Sequence, residues 1–470
     1  MSAVHISPFS GPWYPDSAAD LERLLEERFE ESRARTGPFL TAGGMGFVVP
    51  HAAPWYSGAV AAAVYRSLQQ QRPERIVVLA FPHHGRLNGI AAPDTEAIAT
   101  PFGEVAIDRE FAGPFNRVAE GRVCDHSFEI QLPFLQKAVP HGCVTPLYVG
   151  HMSEDERHAA AGRLAAVWRP GVVFVASSDF THYGRGFSYV PFPDDAAVPA
   201  RLRALDFECI DAAGSLDSSW FLETLSANGA TVCGSGPIAL LLDVLNRIAG
   251  DTIYQATLDY QTSGEITGDY SHSVSYAALG YFPRSAFELE APDREALLDS
   301  AGETLRRLRD TGTRQPVAAR HGSAALCARR GVFVSLHRGE ELLGCVGNCA
   351  GHLPLSEEVG HLALAAALDD SRFQPGVAIE GPADIEISVL TPFRAMRGSE
   401  GFRIGRHGAF LSLNGHCGLL LPQVAAHYGW TAEAFLRALA RKCLLGPHAW
   451  RDPQARLSVF EAQVFGRPGR

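Results

Sequence analysis

No stretch of the chain approaches the roughly 18 consecutive apolar residues that a membrane-crossing helix needs. The opening MSAVHISPFSGPWYPD also lacks the basic-then-apolar order of a secretory leader. The expected setting is cytoplasmic, with no membrane contact. The nine cysteines contain no CxxC pair and keep no regular spacing, which argues against a disulfide framework and against a structural zinc site. Internal repeats and low-complexity tracts are missing too. So is a basic stripe: the formal charge is −11, and nucleic acid is not an expected partner. What is present is the composition of a globular protein, 46% hydrophobic and 20% charged over 470 residues, enough for two or three domains at about 150 residues each.

The charge is uneven. Residues 290–470 carry 21 basic and 19 acidic side chains, whereas residues 1–289 carry 20 and 33. The acidic half alternates short β-branched runs with longer helical patterns, the mark of an α/β domain with a mostly parallel central sheet. We expect this domain over residues 1–283, then a linker at 284–293 marked by the prolines of PRSAFELEAPDRE. The remainder, residues 294–470, pairs strand-like segments such as GVFVSLHRG and ELLGCVGN and closes on RLSVFEAQVFG. It reads as a smaller α+β domain with an antiparallel sheet.

In the first half, the run GFVV ends in Pro50-His51, RIVVLAF ends in Pro82-His83-His84, and GVVFVASS ends in Asp179 and then His182. Three expected strands thus each deliver a histidine just past the carboxyl end, the edge at which α/β sheets bind ligands. Imidazoles and a carboxylate at one crevice are the ingredients of a metal or acid/base site. Cys233 in ATVCGSGP precedes a helical pattern, and soft sulfur beside imidazole suits iron(II), copper or zinc. Asp125, His126 and Glu129 in CDHSFEIQLPFLQ sit at a helix start, where a cap with a surface ion pair is the plainer reading and a pocket wall the functional one. Trp55 and Tyr56 are further pocket candidates, with core packing as the default.

Taken together, GPWYP, VPHAAPWYSG, LAFPHHG, DHSFEIQLPFLQ, PLYVG, VASSDFTHYG, VCGSGPI and SVSYAALGYF resemble the Memo-like family, in order from about residue 5 to 282. That family is related in fold to the class III (LigB-type) extradiol ring-cleaving dioxygenases. The resemblance implies a mononuclear non-heme iron site with His51, His83 and Cys233 at the ligand positions, His182 as the acid/base residue and Asp179 beside it. His84, Asp125, His126, Glu129, Trp55 and Tyr56 would line the pocket. Copper binding is also associated with the family. Three departures stand out: PHAAPW replaces PHAGY, Ser235 replaces an arginine, and Asp125 replaces a glutamate.

From about Arg294 to Gly466 the chain resembles the AMMECR family domain through LLGCVG, ALDDSRFQP, IEISVLTP, IGRHGAFLS and GLLLPQVA, with Leu343 where arginine is common. Relatives of the two domains occur with a radical SAM protein, which the resemblance implies as a partner. Cys345 and His407 are the candidate site residues here, with Cys349, His416 and Cys417 nearby in the sequence. The expectation is a dioxygenase-like iron oxidoreductase acting on a small-molecule or peptide substrate; the rival reading is a metal- or anion-binding adaptor without turnover.

Overall fold

A computed structural model describes residues 4–37, 41–113, 115–193, 195–320 and 322–469. The chain divides into two compact units, residues 1–286 and 287–470. The strand His272–Pro283 and a short 3-10 turn at Arg284–Phe287 end the first; the helix Ala291–Thr311 begins the second. This helix starts inside the stretch expected as linker. Pro292 lies in its first turn, where the missing N–H costs no helical hydrogen bond.

The first unit is built on a nine-stranded sheet. Its middle is parallel, with Gly46–Val49, Val172–Ser177, Arg75–Ala80 and Cys143–Val149 side by side in that order. All but the end residues of these strands are buried, as continuous apolar runs in parallel sheets should be. The flanks differ from the mostly parallel expectation. His272–Pro283 pairs antiparallel with Gly46–Val49 on one side and Ile90–Pro93 pairs antiparallel with Cys143–Val149 on the other. Ile253–Thr262 returns to His272–Pro283 across only the short helix Ser263–Thr267, and so short a link permits only antiparallel pairing.

Helices cover the sheet. Pro54–Gln71 begins on a proline, buries an unbroken run from Ser57 to Leu68, and stops where Arg72 turns left-handed at φ 51°. Glu154–Ala166 starts with a reciprocal capping box between Ser153 and Glu156. Ser235–Ile248 buries Pro237 through Leu245 in the main core. Ala18–Thr36 buries only Leu21, Leu25, Phe29 and Ser32, a narrow stripe among its charges, and Ser218–Asn228 buries Ser218, Phe221, Thr224 and Leu225.

The second unit holds two four-stranded antiparallel sheets rather than one. The single closing strand expected from RLSVFEAQVFG is two: Arg456–Phe460 joins one sheet and Ala462–Arg467 the other, with Glu461 between them. Among the described residues no helix is long and apolar enough to cross a membrane.

Candidate metal centre

Parallel pairing decides where the histidines meet. Gly46–Val49, Val172–Ser177 and Arg75–Ala80 are adjacent and run the same way, so their carboxyl ends open on one edge of the sheet. His51 follows the first, Ser178 through His182 the second, and His83 the third. Cys233 reaches the same edge through Gly234, whose N–H donates to Ser178 Oγ at 2.9 Å. A Cβ on Gly234 would lie 2.5 Å from the Ser177 carbonyl oxygen and 2.5 Å from Ser178 Cβ, so only glycine permits this approach. The result is a triad: donor atoms of His51, His83 and Cys233 lie within 4.8 Å of one another, with His51 Nε2 3.2 Å from Cys233 Sγ.

The surrounding hydrogen bonds set which ring nitrogens carry protons. Ser177 spends its only hydroxyl proton on the Ser127 carbonyl, and Gln131 Nε2 donates to Ser177 Oγ at 3.0 Å while also donating to the Pro50 carbonyl. His51 Nδ1, 3.1 Å from Ser177 Oγ, is therefore the donor of that pair. Tyr65 donates to Gln131 Oε1 and completes the chain. His83 Nδ1 donates to Asp125 Oδ1 at 2.8 Å, and His182 Nδ1 donates to the Thr231 carbonyl at 3.0 Å. In each ring the Nδ1 bond leaves Nε2 as the atom that can face a metal, the nitrogen whose lone pair imidazole uses to bind one.

Electrostatics point the same way. Burial, reinforced by His83, lowers the pKa of His51 to about 3, so the ring stays neutral. Burial pushes the Cys233 thiol up to about 12, helped by the nearby Asp179 carboxylate. A divalent ion bound between this half-buried thiol and the two imidazoles would displace the thiol proton and stabilise the thiolate. The residues present fit a soft-to-borderline metal with an S/N/N donor set.

Asp179 is buried and accepts from the backbone N–H of His51 at 2.8 Å and of Ala52 at 3.3 Å. It thus holds the turn that aims His51. Burial raises its pKa against the pull of His182. Asp125 caps the helical turn His126–Glu129 through the Ser127 N–H and also receives the His83 backbone N–H. Burial works against its ionisation, but the His83 hydrogen bond and the neighbouring histidines hold the carboxyl well below its usual range. His126 stacks on His83 at 4.1 Å and on Trp13 at 4.5 Å, walling the site. Burial foremost, with His51 close by, lowers the pKa of His126 to about 3, so this ring too stays neutral.

The surface ion pair of His126 with Glu129 is not formed: Glu129 is fully buried and faces His5 instead. Trp55 and Tyr56 are 39% and 41% exposed in the first turn of Pro54–Gln71, outside the core, and His84 is exposed. In the second unit His407 is buried and its Nδ1 accepts the Arg403 N–H, whereas Cys345 Sγ accepts from Ser335 Oγ at 3.2 Å. Among the described residues neither joins a cluster of potential metal ligands. Sequence reasoning overlooked Gln131, Ser177, Tyr65, Thr231 and Gly234; of these only Gly234, beside the cysteine, carried a local signal.

Residues 7–280 match the family described as Memo-like protein, and residues 298–465 match the AMMECR1 family. A MEMO1 family protein of Methanosarcina barkeri is 35% identical over 281 residues, spanning 57% of this chain and 97% of the relative. The protein memo-1 homolog of Caenorhabditis elegans is 28% identical over 285 residues, spanning 57% and 80%. A crystal structure of an uncharacterized protein from Pyrococcus horikoshii aligns at 31% identity and a TM-score of 0.35, covering 36% of this chain and 89% of that one.

Proposed function

Since the chain belongs to the Memo-like protein family, we propose that its first unit is an iron-dependent oxidoreductase of the kind found in extradiol dioxygenases, holding its metal on His51, His83 and Cys233. The observation that carries this reading is the convergence of three donor atoms, with both ligand imidazoles locked to present Nε2. Iron(II) bound there would supply a centre for O₂ and for a small-molecule or peptide substrate. A thiolate donates more strongly than the carboxylate that ring-cleaving enzymes use, so the substrate need not be a catechol.

The protein's own residues supply the rest. His182, only partly buried, is oriented by the Nδ1 donation to the Thr231 carbonyl, which leaves Nε2 as the atom suited to exchange a proton with substrate. Asp179 fixes the His51 turn, and the stacked Trp13, His126 and His83 rings shield one side of the site from water. We further propose that the AMMECR1-like second unit serves this chemistry together with a radical SAM partner.

Metal analysis of protein purified without added metal, combined with oxygen uptake, tests the reading. Iron retained by wild type and lost in Cys233→Ala, with turnover that needs His51 and His182, is the expected result. Copper or zinc in place of iron, with no oxygen uptake, would move the conclusion to a metal-binding adaptor. Absence of any metal, unchanged by Cys233→Ala, would overturn it.

A further inference from the structure

A second group of donors lies away from the first triad. His5, Cys124 and Glu129 offer ligand atoms that all lie within 4.8 Å of one another. His5 comes from the strand Val4–Ile6, which pairs with Ala97–Thr100. Cys124 precedes the helical turn His126–Glu129, and Glu129 ends it. His5 Nε2 stands 3.0 Å from Glu129 Oε1, and His5 Nδ1 lies 3.8 Å from Glu120 Oε2.

Glu129 is the anomaly. Its side chain is fully buried, and its second oxygen, Oε2, has no hydrogen-bond partner among the described residues. A buried carboxylate is costly unless paired and fully hydrogen-bonded, and one histidine satisfies only half of this one. The Tyr148 hydroxyl accepts the Asp125 N–H at 3.2 Å and so fixes the backbone next to Cys124, whose half-buried sulfur lies within 4.8 Å of the Glu129 carboxylate. Glu120 stands behind His5 Nδ1, as an outer carboxylate commonly stands behind a metal-bound imidazole.

We propose that His5, Cys124 and Glu129 form a second metal site, for a divalent ion of the zinc class. Sulfur, imidazole and carboxylate in a set of three are a zinc-type donor combination with room for one water. Bonds of about 2.0–2.3 Å place tetrahedral ligands roughly 3.3–3.8 Å apart, so the 3.0 Å between His5 and Glu129 needs only a small opening. The ion would tie the N-terminal strand to the segment that carries Asp125, and Asp125 orients His83. Its function is to stiffen the support of the first site.

The test uses the full chain carrying Cys233→Ser, so that the outcome does not depend on the first site. After chelator treatment this protein is titrated with Co²⁺ and then Zn²⁺. One equivalent of cobalt, with a thiolate-to-metal charge-transfer band that zinc abolishes, is expected. Adding Cys124→Ala should remove the band, and His5→Gln should weaken binding by about tenfold or more. Should either variant fold poorly, alkylation of the Cys233→Ser chain gives the same answer: zinc should protect Cys124 specifically. No band in the Cys233→Ser chain, a band that survives Cys124→Ala, or equal alkylation of Cys124 with and without zinc would each overturn the proposal and leave a plain buried His–Glu pair. If the first site fails and this one stands, wild type and Cys233→Ser bind the same single equivalent.

Discussion

Ser177→Ala removes one oxygen atom from behind the first site and should damage metal binding without touching a ligand. The hydroxyl accepts from His51 Nδ1 and Gln131 Nε2 and donates to the Ser127 carbonyl. Its loss strands His51 Nδ1 and the Ser127 carbonyl in a buried setting, while Gln131 keeps its bond to Pro50. At about 1–3 kcal/mol for each of the two stranded groups, the stability loss should be roughly 2–6 kcal/mol. The second consequence is chemical. With no acceptor at Nδ1, the neutral ring is free to carry its proton on Nε2, the atom that faces Cys233. Loss of such an outer partner typically costs about 10–100-fold in metal affinity, or about 1.4–2.8 kcal/mol. The assay is iron(II) or zinc binding against a competing chelator, on protein shown to be folded, alongside urea unfolding of the same preparation. Leu164→Ala serves as the control, because Leu164 is buried in the core on Glu154–Ala166. It should lose about 2–5 kcal/mol of stability and keep wild-type affinity. If Ser177→Ala is destabilised but holds metal within about threefold of wild type, the tautomer argument is wrong.

Gly234→Ala should release the metal, since its Cβ would strike the Ser177 carbonyl, whereas Gly236→Ala, whose Cβ meets only Val149 Cγ1 at 3.7 Å, should bind normally; metal content of the two purified proteins decides. Gly344→Ala puts a Cβ 1.9 Å from the Ala366 carbonyl oxygen. It should lower the thermal stability of the second unit while metal retention by the first stays at the wild-type level, and a fall in both would show that the units are not independent. Asp370 accepts from Arg372 and from the Cys345 N–H, and the Arg372 hydrogen bond foremost holds its carboxyl down to about 2. A depressed folded pKa contributes stability above the ordinary carboxylate value of 3.8 and loses it as pH falls toward 2. Asp370→Asn should therefore unfold more readily than wild type at pH 7, with the gap closing between about pH 4 and pH 2; a pH-independent gap in denaturant midpoints would rule out the charge as its cause.

The α/β organisation was legible because parallel strands buried on both faces must be continuous apolar runs, and RIVVLA and VVFVAS are such runs. The histidines were legible for a related reason, since each follows such a run directly. The antiparallel flanks were not, because a β-branched segment says nothing about the direction of its neighbour. The two sheets of the second unit were hidden in the same way: RLSVFEAQVFG reads as one strand, and only pairing partners elsewhere in the chain divide it at Glu461.

The sequence by itself determined which residues are candidates, because His51, His83, His182 and Cys233 are marked by what lies next to them in the chain. The tertiary structure alone decided what state those residues are in. Tyr65, Gln131, Ser127 and Ser177 are drawn from separate elements, and no local pattern sets them apart from ordinary core or cap residues, yet together they place the proton on His51 Nδ1. The partners of Asp179 and Glu129 were decided in the same way: the first accepts the backbone N–H groups of His51 and Ala52, and the second is buried against His5. Burial and hydrogen-bond partners are properties of the folded neighbourhood, and they set the protonation on which a metal site depends.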